Sequence, residues 1–396
     1  MTERTGETLL SRNGRAVLDA VQTKPRCSRA DVARLTGLST SAVSTLVNHL
    51  ITTGLLVELG TSPSSSGGRP AVSLGLAPRA GALVGIHLGH ADLRVVLTSL
   101  DGTLLAERRH ELDVDHEPAG SLDRVAASTA ELLAAGDVDP DRVLGVGVAV
   151  SAPVVDARLI GSPPMLLDWG GVDIGGILTR RTGLPVHLGN DASLGALAEW
   201  RLGAGAAVDD LIYVMLGEGV GSGLVLGGRL HTGSSGTAGE LGHLRVVADG
   251  KVCRCGARGC LETVVSRRAL VSALAHTLGA SASVEALLDL AEAGDPGALR
   301  LLADAGQVLG TALAGVCTIT DPRLVVVGGD LTERPDSSDA LLEAARRALD
   351  DALSPVANHD VHIVPARLGA RAEALGAALL AASRSGGRLA NTPQPT

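Results

Sequence analysis

From residue 15 the chain sets apolar and polar positions at helical spacing. RAVLDAVQ (15–22) predicts an amphipathic helix that stops near Lys24-Pro25, because the residue before a proline avoids the helical region. Ser28 stands three residues before Asp31, a capping-box-like start for a short helix over Arg29–Thr36. Gly37 can take the left-handed conformation of a tight turn. In STSAVSTLVNHLITTG, Ala42, Val43, Leu46, Val47, Leu50 and Ile51 recur at three- and four-residue spacing and predict one buried stripe. The opposite face is polar, uncharged and small.

Helix, glycine turn and a second helix of this kind form a helix-turn-helix pattern, with Ser39, Thr40, Ser41, Ser44, Thr45 and Asn48 as candidate contacts to base edges and phosphates. Gly54 closes that helix, LLVEL reads as a strand and AVSLGL (71–76) alternates as its partner. The loop TSPSSSGGRP between them carries a single cation, Arg69, suited to the electronegative minor groove of double-stranded DNA. The whole resembles the winged helix-turn-helix of bacterial regulators; a small bundle that docks a protein is the plainer alternative. Charge favours DNA. Residues 1–80 hold nine Lys/Arg against five Asp/Glu, whereas the rest of a chain of net charge -9 is acidic.

After Pro78 strands and helices alternate. ALVGIHLG (82–89), LRVVLTSL (93–100) and TLLAERR read as strands, the last two joined at Asp101-Gly102. A helix (121–135), a strand VLGVGVAV (143–150), a helix near 172–182 and a strand PVHL follow, and 211–230 repeats the strand–glycine-turn–strand theme. The expected domains are therefore a head over 1–77, a body over 78–384 and a disordered Gly/Pro-rich tail over 385–396. With two Trp, one Tyr, no Phe and 51 Gly, the cores must be aliphatic and packed through small residues. No run of about 18 uncharged apolar residues and no apolar leader is visible, so a cytoplasmic, non-membrane protein is expected.

Three of the five cysteines crowd into Cys253-x-Cys255-x4-Cys260, with His243 ten residues before the first. Three thiolates and one imidazole make a closed tetrahedral set, the kind that holds a structural zinc ion. A redox disulfide or three buried thiols are the alternatives. Isolated Cys27 and Cys317 read as small buried hydrophobes.

GELGH (239–243), CRCGARGCLE (253–262) and GNDASLGALAEWRLGAG (189–205), behind a winged helix, resemble the ROK family (repressors, open reading frames, kinases) in its regulator branch. The resemblance implies an α/β fold, a duplicated ribonuclease H-like, actin/hexokinase-type two-lobed domain that follows the winged head. It assigns zinc to His243, Cys253, Cys255 and Cys260, and a sugar or sugar phosphate to Asn190, Asp191, Glu240, His243 and Glu262. Carboxylates, an amide and an imidazole are suitable partners for a ring of hydroxyls. Trp169 stacks on the sugar or belongs to the core; sequence leaves both open. Family kinases carry roughly Asp-x-Gly-Gly-Thr in the first phosphate loop, where this chain has His87-Leu88-Gly89-His90-Ala91. Their second loop reads Gly-Thr-Gly; here Glu218 takes the middle place. His90 and Glu218 oppose a polyphosphate by bulk and charge, leaving Asp191 a vestigial base without a donor. The expectation is a sugar-responsive regulator that is no enzyme, a repressor acting as a homodimer or homotetramer on operator DNA. An ATP-dependent sugar kinase and a regulator governed by a protein partner are the alternatives.

Overall fold

The computed structural model describes residues 12–23, 26–62, 71–77, 81–155, 158–159, 167–206, 208–353 and 360–384. In the head, α1 (Arg12–Thr23) leads through β1 (Cys27–Ser28) to α2 (Arg29–Thr36) and α3 (Thr40–Thr52). The capping box forms in both directions: Ser28 accepts from the Asp31 amide and Asp31 accepts from the Ser28 amide. Gly37 ends α2 at φ 70°, the left-handed turn the helix-turn-helix needs. Strands β2 (Leu56–Ser62) and β3 (Ala71–Leu76) form the wing, and β1 pairs with β3 as a third strand that two residues of sequence could not announce. Val43, Leu46, Val47 and Leu50 are buried as expected, while Ala42 and Ile51 are only half-buried at the edge of the stripe. The tail 385–396, Lys24-Pro25 and Arg69 lie outside the described residues.

The first lobe carries β4 (Ala82–Leu88), β5 (Asp92–Ser99), β6 (Leu104–Glu111), α4 (Pro118–Ala135), β7 (Val143–Val150), the small pair β8 (Val154–Val155) and β9 (Arg158–Leu159), α5 (Ile174–Thr182) and β10 (Val186–Asn190). Helix α6 (Asp191–Leu202) then crosses to the second lobe. There follow β11 (Leu211–Leu216), β12 (Val220–Leu226), β13 (Arg229–His231), α7 (Glu262–Val265), α8 (Arg267–Leu278), α9 (Val284–Glu292), α10 (Pro296–Thr320), β14 (Leu324–Gly328), α11 (Pro335–Ala352), β15 (His362–Pro365) and α12 (Ala372–Arg384).

Both five-stranded sheets have the same order, β6-β5-β4-β7-β10 and β13-β12-β11-β14-β15. In each, three antiparallel strands continue into two parallel ones. This is the duplicated ribonuclease H-like architecture expected above. Among the described residues one helix, α10, is long and apolar enough to cross a membrane, and its Leu302, Leu309 and Leu313 are fully buried in the second lobe's core.

Between the lobes the backbones nearly touch. A Cβ at Gly147 of β7 would lie 1.8 Å from the Ala377 carbonyl of α12, and one at Gly376 would lie 1.8 Å from the Leu194 carbonyl of α6. Gly223 of β12 faces α6 in the same way, 2.6 Å from the Ala192 carbonyl. The two helices are therefore clamped between the two sheets through positions that only glycine can fill.

Gly147→Ala is expected to destabilise the protein by roughly 1–3 kcal/mol or more, since neither backbone can retreat. Gly315→Ala, where an added Cβ meets nothing within 4 Å on α10, is expected to stabilise by about 0.5–1 kcal/mol. Chemical denaturation of the pair checks both signs.

Candidate functional site

Strand β10 ends at Asn190, which caps α6 by accepting from the Ser193 amide at 3.0 Å. Its Nδ2 donates to Asp191 Oδ1 at 3.0 Å and to the Ala152 carbonyl at 3.4 Å. Asp191 opens α6 and is buried; Oδ1 also accepts from the Ala192 amide at 2.7 Å, and Oδ2 accepts the Ser151 hydroxyl at 2.6 Å. Both side chains are thus fixed at the carboxyl end of a parallel strand, where open α/β sheets present ligands. Ser151 was not foreseen, because a serine after a buried strand carries no spacing signal.

Glu240 and Glu262 come from the second lobe. Burial raises the Glu240 carboxyl above its ordinary range, opposed by His243 and reinforced by Asp191 and Glu262. The three carboxylates therefore share one electrostatic neighbourhood. Glu262 opens α7, is buried, accepts from the Val220 amide at 3.4 Å and has the Cys253 thiol at 3.5 Å. Arg254, inside the cysteine motif and not singled out from sequence, brings Nε to 3.9 Å from Glu262 Oε1.

His243 joins two groups. Nδ1 faces Cys253 Sγ at 3.7 Å, and Nε2 faces Glu240 Oε2 at 3.6 Å. The donor atoms of His243, Cys253, Cys255 and Cys260 lie within 4.8 Å of one another, a set that can hold a metal ion. Cys255 and Cys260 have sulfurs 3.7 Å apart, close to the edge of about 3.7 Å that a tetrahedron with Zn–S of about 2.3 Å requires. At that separation the two sulfurs are not bonded to each other. Burial pushes the Cys253 thiol up to about 12, so a bound cation would have to displace its proton.

The phosphate-loop positions are engaged within the protein. His90 Nδ1 meets Asp115 at 2.8 Å, which draws the ring toward the 112–115 segment. Glu218 does not present a bare charge, as its sequence position implied. It accepts from Arg267 Nη2 at 3.0 Å, and Arg267 Nη1 reaches Asp330 at 2.7 Å. Trp169 is buried and donates Nε1 to the Val114 carbonyl at 2.7 Å, so it is a core residue.

On the head, Ser39 caps α3 by accepting from the Ala42 amide at 3.3 Å; Thr40, Ser41, Thr45 and Asn48 are exposed, and Ser44 is half-buried. Asn48 is not idle. Its Oδ1 accepts from Arg29 Nη2 at 3.0 Å, and Arg29 Nη1 donates to Glu58 at 2.9 Å, tying α2 to α3 and the wing.

The ROK family model matches residues 83–384, and a MarR family model matches residues 10–66. The chain belongs to the ROK family. A xylose repressor of Bacillus spizizenii is 29% identical over 364 residues, covering 92% of this chain and 93% of its own. The crystal structure of a ROK family transcriptional regulator, a homologue of the Escherichia coli Mlc protein, is 27% identical at a TM-score of 0.75 over 96% of this chain and 98% of that one. A ROK glucokinase from Streptomyces griseus, solved with glucose and AMPPNP, is 29% identical at a TM-score of 0.67, covering 76% of this chain and 99% of its own. The two regulator matches extend through the head of this ROK protein; the kinase match covers less of it.

Elemental analysis of protein purified without chelator is expected to give one metal ion per chain, and Cys255→Ser to abolish it. A stoichiometry near zero in the parent excludes the centre.

Proposed function

We propose that this ROK protein is a sugar-responsive DNA-binding repressor that does not phosphorylate its ligand. The observation that carries the reading is one chain in which a winged head shares a core with a body that holds Asp191 beside Asn190 and sets Glu240 against His243. Ser39, Thr40, Ser41, Ser44, Thr45 and Asn48 would meet the major groove of operator DNA, and Arg69 the minor groove. Two heads of a homodimer would address half-sites about one helical turn, or a multiple, apart.

Asn190 and the carboxylates of Asp191, Glu240 and Glu262 would take sugar hydroxyls, with acceptor and donor capacity on one surface. His243, Cys253, Cys255 and Cys260 would hold zinc, which supplies structure and fixes the histidine tautomer. With Nδ1 turned to the cysteines, Nε2 is left on the Glu240 side as a donor to a hydroxyl. Release follows only if the sugar binds one lobe arrangement more tightly than the other.

The kinase reading draws support from the intact Asp191 and from relatives such as the Streptomyces griseus glucokinase. Against it, the Glu218–Arg267 and His90–Asp115 pairs would oppose a polyphosphate at the two loops, as their departures from the kinase pattern imply. A base without a bound phosphoryl donor transfers nothing.

A thermal-shift panel of aldoses, amino sugars and their phosphates, beginning with xylose, is expected to raise the melting temperature for one class. The same sugar with ATP and magnesium is expected to show no phosphorylation; turnover of about 1 s⁻¹ or more overturns the repressor-only reading. Asp191→Asn is expected to weaken sugar binding roughly tenfold to a hundredfold, the loss of a charged hydrogen-bond acceptor. Arg69→Ala is expected to weaken duplex binding at about 0.15 M salt without lowering the melting temperature.

A further inference from the structure

The head is not strung on the body as a separate bead. Its apolar cluster, built on Val17, Val21, Val47 and Leu74, continues into Leu83 and Leu144 of the first lobe and Ala378, Ala381 and Ala382 of α12. A polar bond crosses the same junction. Arg201, in the last turn of α6, donates from Nη1 to the Gln22 carbonyl, 179 residues away, at 2.9 Å. Gln22 lies in the last turn of α1, whose carbonyls lack intrahelical partners and carry the negative end of the helix dipole.

The setting of Arg201 is unusual for a bond of mere convenience. Its guanidinium stacks 4.0 Å from the Trp200 ring centroid, and its Nε is buried without a hydrogen-bond partner. Burial draws the group down to about 10. Such desolvation is costly unless the remaining contact is useful.

A single rod connects this contact to the cleft. Helix α6 starts at Asp191, capped by Asn190, and ends at Leu202, a length of about 18 Å at ~1.5 Å per residue. Near its far end Glu199, fully buried, accepts from the Ala204 amide at 2.8 Å and from the Leu368 amide at 2.7 Å. That carboxylate binds the last turn of α6 to the segment entering α12, while Gly376 brings the two helices into backbone contact.

We propose that Arg201 is a positioning residue for the DNA-reading head, and that α6 is the strut through which occupancy of its Asn190–Asp191 end alters the set of the head. This rests on the reading of that end as the effector site. A ligand that pulls on Asn190 and Asp191 displaces α6 against α12; α1, held at its C-terminus by Arg201, is shifted relative to the first lobe that shares its core.

The experiment compares the full-length parent with Arg201→Ala and Arg201→Lys, and with Arg201→Gln should the alanine variant not fold. A duplex selected by the parent from a random pool is the DNA probe, and xylose is the cleft probe. Xylose binding by calorimetry is expected to stay within about twofold in Arg201→Ala, while the xylose-driven loss of duplex affinity falls from roughly tenfold to less than about threefold. Arg201→Lys, which keeps a cation at the end of α1, is expected to restore part of the response. A second arm uses no sugar. Linkage is reciprocal, so adding duplex is expected to change hydrogen exchange at the Ala192 and Ser193 amides in the parent and not in Arg201→Ala. If the parent answers no sugar in the panel, the effector reading fails and the exchange arm alone decides the strut. A parent-like xylose response in the alanine or glutamine variant overturns the proposal. So does duplex-driven exchange that is absent from the parent or unchanged by the substitution.

Discussion

Four backbone layers meet at the centre of this protein with almost no side chain between them: β7 against α12, α12 against α6, and α6 against β12. The distances at Gly147, Gly376 and Gly223 leave no room for a Cβ, so the two lobes are joined by contact between main chains. Close-packed interiors transmit displacement because they cannot be compressed. Everything functional is hung on this stack. Asn190 and Asp191 stand at the N-terminus of α6, and the head rests on the C-terminal turns of α6 and α12.

Buried acids stiffen the same region. Glu199 has each carboxylate oxygen on a backbone amide, and Glu373 of α12 accepts the Tyr213 hydroxyl at 2.9 Å. Burial raises the Glu373 carboxyl above its ordinary range. A buried polar group that is fully hydrogen-bonded specifies one arrangement, and an unpaired one is costly. The central helices are thereby held in register by polar bonds as well as by glycine contacts.

At the turns after β4 and β11 the geometry gives the loop residues a different meaning from the one their positions suggested. Glu218 looked like a charge that repels phosphate. In the folded chain it is the partner of Arg267, which also binds Asp330, and the three make an internal ion-pair cluster at the second loop. His90 is likewise half of a pair with Asp115. Each of these groups has a partner close by that the chain supplies itself.

The helix-turn-helix, the wing strands β2 and β3 and the strands of the first lobe were legible because apolar period and turn residues are local signals. The His243–Cys253–Cys255–Cys260 set was legible for the same reason: its donors lie within eighteen residues of one another, so spacing alone limits their geometry. Ser151 on Asp191, Arg267 between Glu218 and Asp330, Arg29 on Asn48 and Arg201 on Gln22 were not legible. Each joins polar residues 19 to 179 positions apart, and a serine or arginine in sequence looks the same whether solvated or paired. Trp169 shows the limit in one residue: its composition allowed a stacking platform, and only the position of the Val114 carbonyl made it core. The sequence by itself determined the elements and the metal-binding spacing, because both arise from neighbours along the chain. The tertiary structure decided which charges pair and how α6 and α12 meet the head, because those depend on which distant backbones are brought together.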